Sequence, residues 1–156
     1  MQQLEERAMV EIMLEIHEGS LEGYVVDAAQ PNIRNYLEQH CSEAGMVATV
    51  LAELGERVAL LRNLYVPEEW RGQGIGTELV SEFMRQGEVK GATAYLLISD
   101  EREGQANGLD LTSWYTGFGF ETAIPTPAGP LMVISDAVLE EIARRQHPAS
   151  DTHQAA

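Results

Sequence analysis

Cysteine is almost absent from this chain. Cys41 is the only one in 156 residues, so no disulfide can form within it. A lone thiol fits a reducing compartment, and the cytoplasm is the expected location. No run of about 18 or more apolar residues occurs, so no membrane span is expected. The opening residues, MQQLEERAM, are charged and lack the apolar centre of a secretory leader. Basic residues are also scarce: 10 Lys and Arg stand against 25 Asp and Glu, a formal net charge of −15. Such a surface repels phosphate backbones, so nucleic acid is not an expected partner. It suits a cationic small molecule or a basic protein segment, although solubility alone also accounts for it. Ligand-spaced histidines are missing too. His17, His40, His147 and His153 have no partner at HxxxH or CxxC spacing, so no metal site is expected.

Apolar residues make up 44% of the chain, enough to place it among globular proteins rather than disordered ones. One domain is expected over residues 1–145, followed by a frayed tail at 146–156. Residues 8–16 read as a first strand and 23–28 as a short second one, punctuated by Gly19-Ser20. Pro31 opens a helix that runs to residue 42, with Gly45 as its stop. Residues 46–54 and 57–66 flank Gly55 and read as a β-hairpin. A helix over residues 77–90 closes at Gly91. A buried strand at 92–99 leads into a polar loop at 100–108 and a short helix at 109–116. Strands at 118–124 and 131–135 are joined through Pro125, Pro127, Gly129 and Pro130. A last helix covers 136–145. No repeat and no linker divides the chain, and the mixed order indicates an α/β or α+β domain.

The most informative segment is Arg71-Gly72-Gln73-Gly74-Ile75-Gly76, between an apolar strand and an amphipathic helix. Glycines at 72, 74 and 76 permit positive φ and close approach of a ligand to the backbone. The helix start supplies unpaired N–H groups and the positive end of a dipole, which suits a pyrophosphate. Arg71 adds a planar cation that can fork onto phosphate oxygens. The loop lacks the Gly-Lys-Ser/Thr ending of a Walker A motif. Its GxGxG spacing fits a dinucleotide fingerprint poorly, which disfavours a Rossmann dehydrogenase.

From Leu64 to Gly76 the residues (LYVPEEWRGQGIG) resemble the acetyl-CoA signature of the GNAT superfamily of N-acetyltransferases. Downstream, Trp114-Tyr115-Thr116-Gly117-Phe118-Gly119-Phe120-Glu121 is similar to the family's aromatic-Tyr-x-x-x-Gly-Phe segment. Gly129-Pro130-Leu131-Met132-Val133 looks like its last strand. The resemblance covers residues 46–135 and keeps the family's order. It implies an α/β (α+β) fold: a mixed, mostly antiparallel twisted sheet with a V-shaped splay between two central strands, flanked by helices.

The resemblance also implies acetyl-CoA as cosubstrate. The loop from Arg71 through Gly72, Gln73, Gly74, Ile75 and Gly76 to Thr77 would hold the pyrophosphate. The strand edge at Leu64 and Val66 would pair with the pantetheine arm, and an N–H near Val66 would polarise the thioester carbonyl. Tyr115 would contact the cofactor and protonate the leaving sulfur. The implied reaction is direct attack of a neutral primary amine on the thioester. Candidate general bases are Asp100 and Glu101, then Glu68 or Glu69, or a water-relayed path.

Three features depart from the family. Arg62 and Asn63 stand where some relatives acting on polyamines carry acids. One helix, 31–42, stands where the family places two, which would leave the acceptor site open or completed by another chain. Asn107 lies one position from the family's asparagine. The leading reading is an N-acetyltransferase acting on a small amine, an antibiotic or a protein amine. The alternative is a non-catalytic CoA-binding or partner-binding module. A relative acetylating aminoacyl-tRNA is disfavoured by the acidic charge. A homodimer with the 131–134 stretch at an edge is compatible with the resemblance.

Overall fold

The computed structural model describes residues 9–100 and 110–146. Strands β1 (Met9–Ile16) and β2 (Gly19–Asp27) form an antiparallel hairpin paired from Met9↔Val26 to Ile16↔Gly19. Gly19 and Ser20, read from sequence as punctuation, therefore open β2. The turn is His17-Glu18, both in the left-handed region at φ 50° and 68°. Positive φ at both centres matches the right-handed twist of the flanking strands.

Two helices follow, α1 (Pro31–His40) and α2 (Ala44–Glu53). Pro31 starts α1, where a missing N–H costs nothing. The second helix overturns the hairpin expected at 46–54. Val47, Val50 and Leu54 are all buried, a spacing of three and four that lines one helical face. Thr49 returns its hydroxyl to the Gly45 carbonyl at 2.9 Å, so its polar group is satisfied inside the helix. Gly45 accordingly lies within α2 instead of stopping α1. The expected shortage of helices in the N-terminal half is corrected by the same finding.

Then come β3 (Arg57–Tyr65), a 3-10 turn (Glu68–Trp70), α3 (Ile75–Val89) and β4 (Ala94–Ile98). The chain ends with α4 (Leu111–Thr116), β5 (Glu121–Ile124), β6 (Leu131–Ile134) and α5 (Asp136–Gln146). Phe118 and Gly119 fall in the turn before β5, not in the strand. The strands form one sheet in the order β1-β2-β3-β4-β6-β5. Only β3 and β4 are parallel. This is the mixed, mostly antiparallel sheet with flanking helices that the sequence implies. Among the described residues no helix is long and apolar enough to cross a membrane.

The splay lies between the parallel strands. Their pairing is limited to Val58↔Ala94, Ala59↔Tyr95 and Leu60↔Leu96. Beyond Leu60, β3 continues against β2 as far as Ser20↔Tyr65, and its other edge is left without β4. A bulge sits at the divergence. Glu22 faces Asn63 and Gly23 faces Leu61, so Arg62 is the extra residue on β3. A bulge bends its strand and reverses the facing of the residues beyond it. Before it, Ala59 and Leu61 join the core under α3; after it, Leu64 does.

Each face of the sheet has its own core. Ile33 and Leu37 of α1, Val47 and Val50 of α2, and Val138 and Ile142 of α5 cover one face with Val58, Leu60, Leu96 and Val133. Leu79, Val80 and Phe83 of α3 cover the other, with Tyr115 of α4, Leu97 and Met132. At the sheet end away from the splay, Arg57 is 3% exposed. It donates to Asp27 Oδ1 at 2.8 Å and through Nε to the Lys90 carbonyl at 3.0 Å, tying β2, β3 and the end of α3 together. Arg57→Ala leaves the Lys90 carbonyl and a partly solvated carboxylate without these partners. A loss of about 2 kcal/mol is expected, read as a lower urea midpoint at an unchanged m-value.

Candidate active site

The arm of β3 that leaves β4 leads directly into the glycine loop. Leu64 and Val66 are half-buried against the core under α3. The 3-10 turn then reverses the chain, with the Trp70 N–H on the Pro67 carbonyl at 2.9 Å and the Arg71 N–H on Glu68 at 3.2 Å. Arg71 donates from Nε to the Val66 carbonyl at 2.9 Å. Gln73 donates from Nε2 to the Glu69 carbonyl at 3.3 Å. Arg71 thus braces the loop against the strand end, and Gln73 braces it against the 3-10 turn.

Gly72 and Gly74 have φ of 81° and 83°, which side chains with a Cβ rarely adopt. A Cβ on either would meet nothing within 4 Å, so the space over the loop is open. Gly76 differs from expectation. It is the second residue of α3 rather than a positive-φ residue, and an added Cβ would stand 3.4 Å from Trp114. Its lack of a side chain admits the indole against the helix. The first main-chain bond of the helix runs from the Glu78 N–H to the Gly74 carbonyl at 3.0 Å. Among the described residues, no main-chain carbonyl accepts from the N–H groups of Gly72, Gln73, Gly74, Ile75, Gly76 or Thr77. Consecutive donors without a main-chain acceptor among the described residues, at the positive end of a 15-residue helix, are an arrangement that suits an anion.

The β1–β2 turn packs on the 3-10 turn that precedes this loop. The His17 ring stacks on Trp70 with centroids 5.0 Å apart and planes at 14°. Trp70 Nε1 donates to Glu18 Oε2 at 2.8 Å. Left-handed backbone costs about 1–2 kcal/mol per residue with a side chain, and these contacts offset part of that cost. Sequence reading passed over this contact. His17 and Glu18 carry no local signal, because their partner lies in a different element.

Tyr115 lies on α4, 5% exposed, edge-on to Trp114 at 5.0 Å and to Phe120 at 6.1 Å. It shares a core with Ile75 at the start of α3 and Leu97 on β4. Asp110 caps α4, accepting from the Ser113 N–H at 3.1 Å and the Ser113 hydroxyl at 2.8 Å. Those two bonds hold its carboxyl below the usual range. The D-x-x-S spacing from Asp110 to Ser113 is a capping signal the sequence does contain. Ser99, fully buried beyond β4, lies 3.1 Å from the Thr112 hydroxyl and secures α4 to the sheet.

Of the candidate bases, Asp100 is half-buried just past β4. Glu68 and Glu69 are exposed on the 3-10 turn. Glu101 and Asn107 lie outside the described residues. The structure therefore brings Leu64, Val66, the glycine loop and Tyr115 to one end of the sheet around a single core. Asp100 stands at the end of the β4 arm.

Solved structures share this architecture. The N-acetyltransferase PaiA from Thermoplasma acidophilum, determined with coenzyme A, aligns over 82% of this chain at 14% identity and a TM-score of 0.51. The alignment spans 61% of that protein's chain, so this chain matches less than two thirds of its length. NAA60 from Arabidopsis thaliana, determined with acetyl-CoA, aligns over 76% of this chain and 65% of its own, at 15% identity and a TM-score of 0.47. Likeness to PaiA at this identity shows the fold. Among curated proteins no sequence match is found. The family model described as an acetyltransferase (GNAT) domain matches residues 33–122, more than half of the sequence, and takes in both the glycine loop and Tyr115. The chain belongs to the GNAT acetyltransferase family.

Proposed function

We propose that this protein is an acetyl-CoA-dependent N-acetyltransferase that moves the acetyl group to a primary amine. One observation carries the reading: among the described residues no main-chain carbonyl pairs with the amides from Gly72 to Thr77 at the start of α3, and Gly72 and Gly74 border open space. A diphosphate fits that cradle, because its oxygens accept from several N–H groups at once. The edge of β3 beyond Leu60, which pairs with no strand on that side among the described residues, fits the amide-bearing pantetheine arm, with Leu64 and Val66 beside it. Bound acetyl-CoA supplies an activated acetyl thioester to a free amine.

The remaining work belongs to this chain. Arg71 keeps the loop against Val66, so donors and strand edge stay in register. The hydroxyl of Tyr115 gives a proton to the departing sulfur. Asp100, with Glu101 as the alternative, takes the proton that the amine must lose before it attacks. A second reading, a CoA-binding module without turnover, is favoured by Arg62 and Asn63 on the exposed arm of β3, where a base could have stood.

Coenzyme A is expected to raise the melting temperature by mass action, a stabilisation of about 2.7 kcal/mol at 100 times Kd. Thiol release with an amine panel separates the two readings. The enzyme releases thiol, whereas the module shows the thermal shift alone. No shift at millimolar coenzyme A contradicts both.

A further inference from the structure

A groove lies far from the glycine loop, between α1 and α2. Val47, Val50 and Leu54 turn one side of α2 into the core, and Ile33 and Leu37 do the same for α1. Ala48, Leu51, Ala52 and Gly55, spaced by three and four, then follow a flank of α2 and its exit. Gln30 and Arg34, four apart, stand along one flank of α1. These six residues line a groove of about 440 Å³. The turn after β2 closes one end of it. There the Ala28 N–H donates to the Glu56 carbonyl at 2.9 Å, and the Gln30 N–H to the Asp27 carbonyl at 2.9 Å. The groove therefore sits at the start of β3, whereas the splayed arm is at its other end. A nine-residue strand puts roughly 25 Å between them.

The lining holds one cation and no carboxylate. Arg34 forms no ion pair among the described residues, although Glu38 lies one turn further along α1, whereas Arg57, Arg85, Arg144 and Arg145 all do. Acids outnumber bases 25 to 10 in this chain, so a guanidinium without one is informative. Asp27, the acid that enters the turn, is already taken by Arg57 at 2.8 Å. Gln30 makes no capping bond with its side chain, which leaves an amide donor on the flank of Arg34. A guanidinium fork matches a carboxylate through two parallel N–H bonds. The opposite wall is alanine methyls and the half-buried Leu51, a surface that an apolar chain can cover. One cation balances one negative charge, and the field of a chain at −15 disfavours a second. A carboxylate therefore fits better than a phosphate dianion.

We propose that this groove is a second ligand site, apart from the acetyl-transfer site, that takes a monocarboxylate with a short apolar chain. Arg34 and Gln30 hold the carboxylate, and the chain lies along Ala48, Leu51 and Ala52.

Hexanoate is the probe, titrated into 15N-labelled protein with and without saturating coenzyme A. Main-chain amide shifts are expected at Gln30, Arg34, Ala48, Leu51, Ala52 and Gly55 and not at Gly72 to Thr77. Coenzyme A should leave the hexanoate affinity unchanged within about twofold, because independent sites do not couple. Arg34→Gln should weaken binding about tenfold, and Arg34→Lys, which keeps the charge without the fork, by less. Ala52→Leu fills the groove from an exposed helical position and should also weaken binding about tenfold, with the guanidinium in place and the helix propensity kept. Acetate has the charge without the chain, and hexylammonium the chain with the opposite charge; each should bind about tenfold more weakly than hexanoate. Hexanoate that leaves the six groove amides in place overturns the proposal. So does an Arg34→Gln or Ala52→Leu variant with wild-type affinity, or hexylammonium, acetate or hexyl phosphate binding as tightly as hexanoate.

Discussion

Replacing both Gly72 and Gly74 by valine is expected to abolish the stabilisation that coenzyme A gives the wild-type protein. Both glycines hold φ above 80°, a conformation that costs a side-chain-bearing residue about 1–2 kcal/mol and a β-branched one more. The loop relieves that strain by leaving the left-handed region, and its N–H groups then point elsewhere. The fold should survive, because added Cβ atoms meet nothing within 4 Å and both positions are exposed. Without ligand, the variant should therefore melt within a few degrees of wild type. With coenzyme A at 100 times the wild-type Kd, the wild-type gain of about 2.7 kcal/mol should shrink to nearly nothing, an affinity loss of about 100-fold. A double variant that gains as much as wild type shows that the diphosphate is held elsewhere.

Tyr115→Phe separates binding from chemistry. Phenylalanine keeps the ring and its edge-on contacts with Trp114 and Phe120, so the core under α3 stays filled. Only the hydroxyl is lost. If that hydroxyl protonates the departing sulfur, kcat for thiol release falls about 100-fold, in the range a positioned general acid contributes. The melting shift with coenzyme A should remain near the wild-type value, since the loop is untouched. A variant with unchanged turnover assigns Tyr115 to packing alone. A variant that loses turnover and thermal shift together places it in cofactor binding instead.

The parts of the site that were legible in sequence are those whose cause is local. Arg71 to Thr77 announces itself because a strand, a glycine-rich turn and a helix start are contiguous. Tyr115 is readable through neighbours at fixed spacing. The α2 helix was not, because Met46-Val47-Ala48-Thr49-Val50 is rich in β-branched residues and lies between glycines, and that composition suggests a strand. What decides it is burial of Val47, Val50 and Leu54 against α1, α5 and the sheet, and β propensity yields readily to such packing. The Trp70–Glu18 bond joins residues 52 apart, and the turn that makes it carries no glycine. Arg62 reads in sequence as a missing acid. Only the register of β2 on β3 shows it to be the bulge residue between Leu61 and Asn63.

Whether the loop amides grip a diphosphate can be observed directly. In a 15N-labelled sample, the backbone amide resonances of Gly72, Gln73, Gly74, Ile75, Gly76 and Thr77 are followed during titration with coenzyme A, and again with pantetheine, which lacks the diphosphate. Large shifts at those amides with coenzyme A, and little change there with pantetheine, are the expected result. Coenzyme A that binds while those six resonances stay in place contradicts the assignment of this loop.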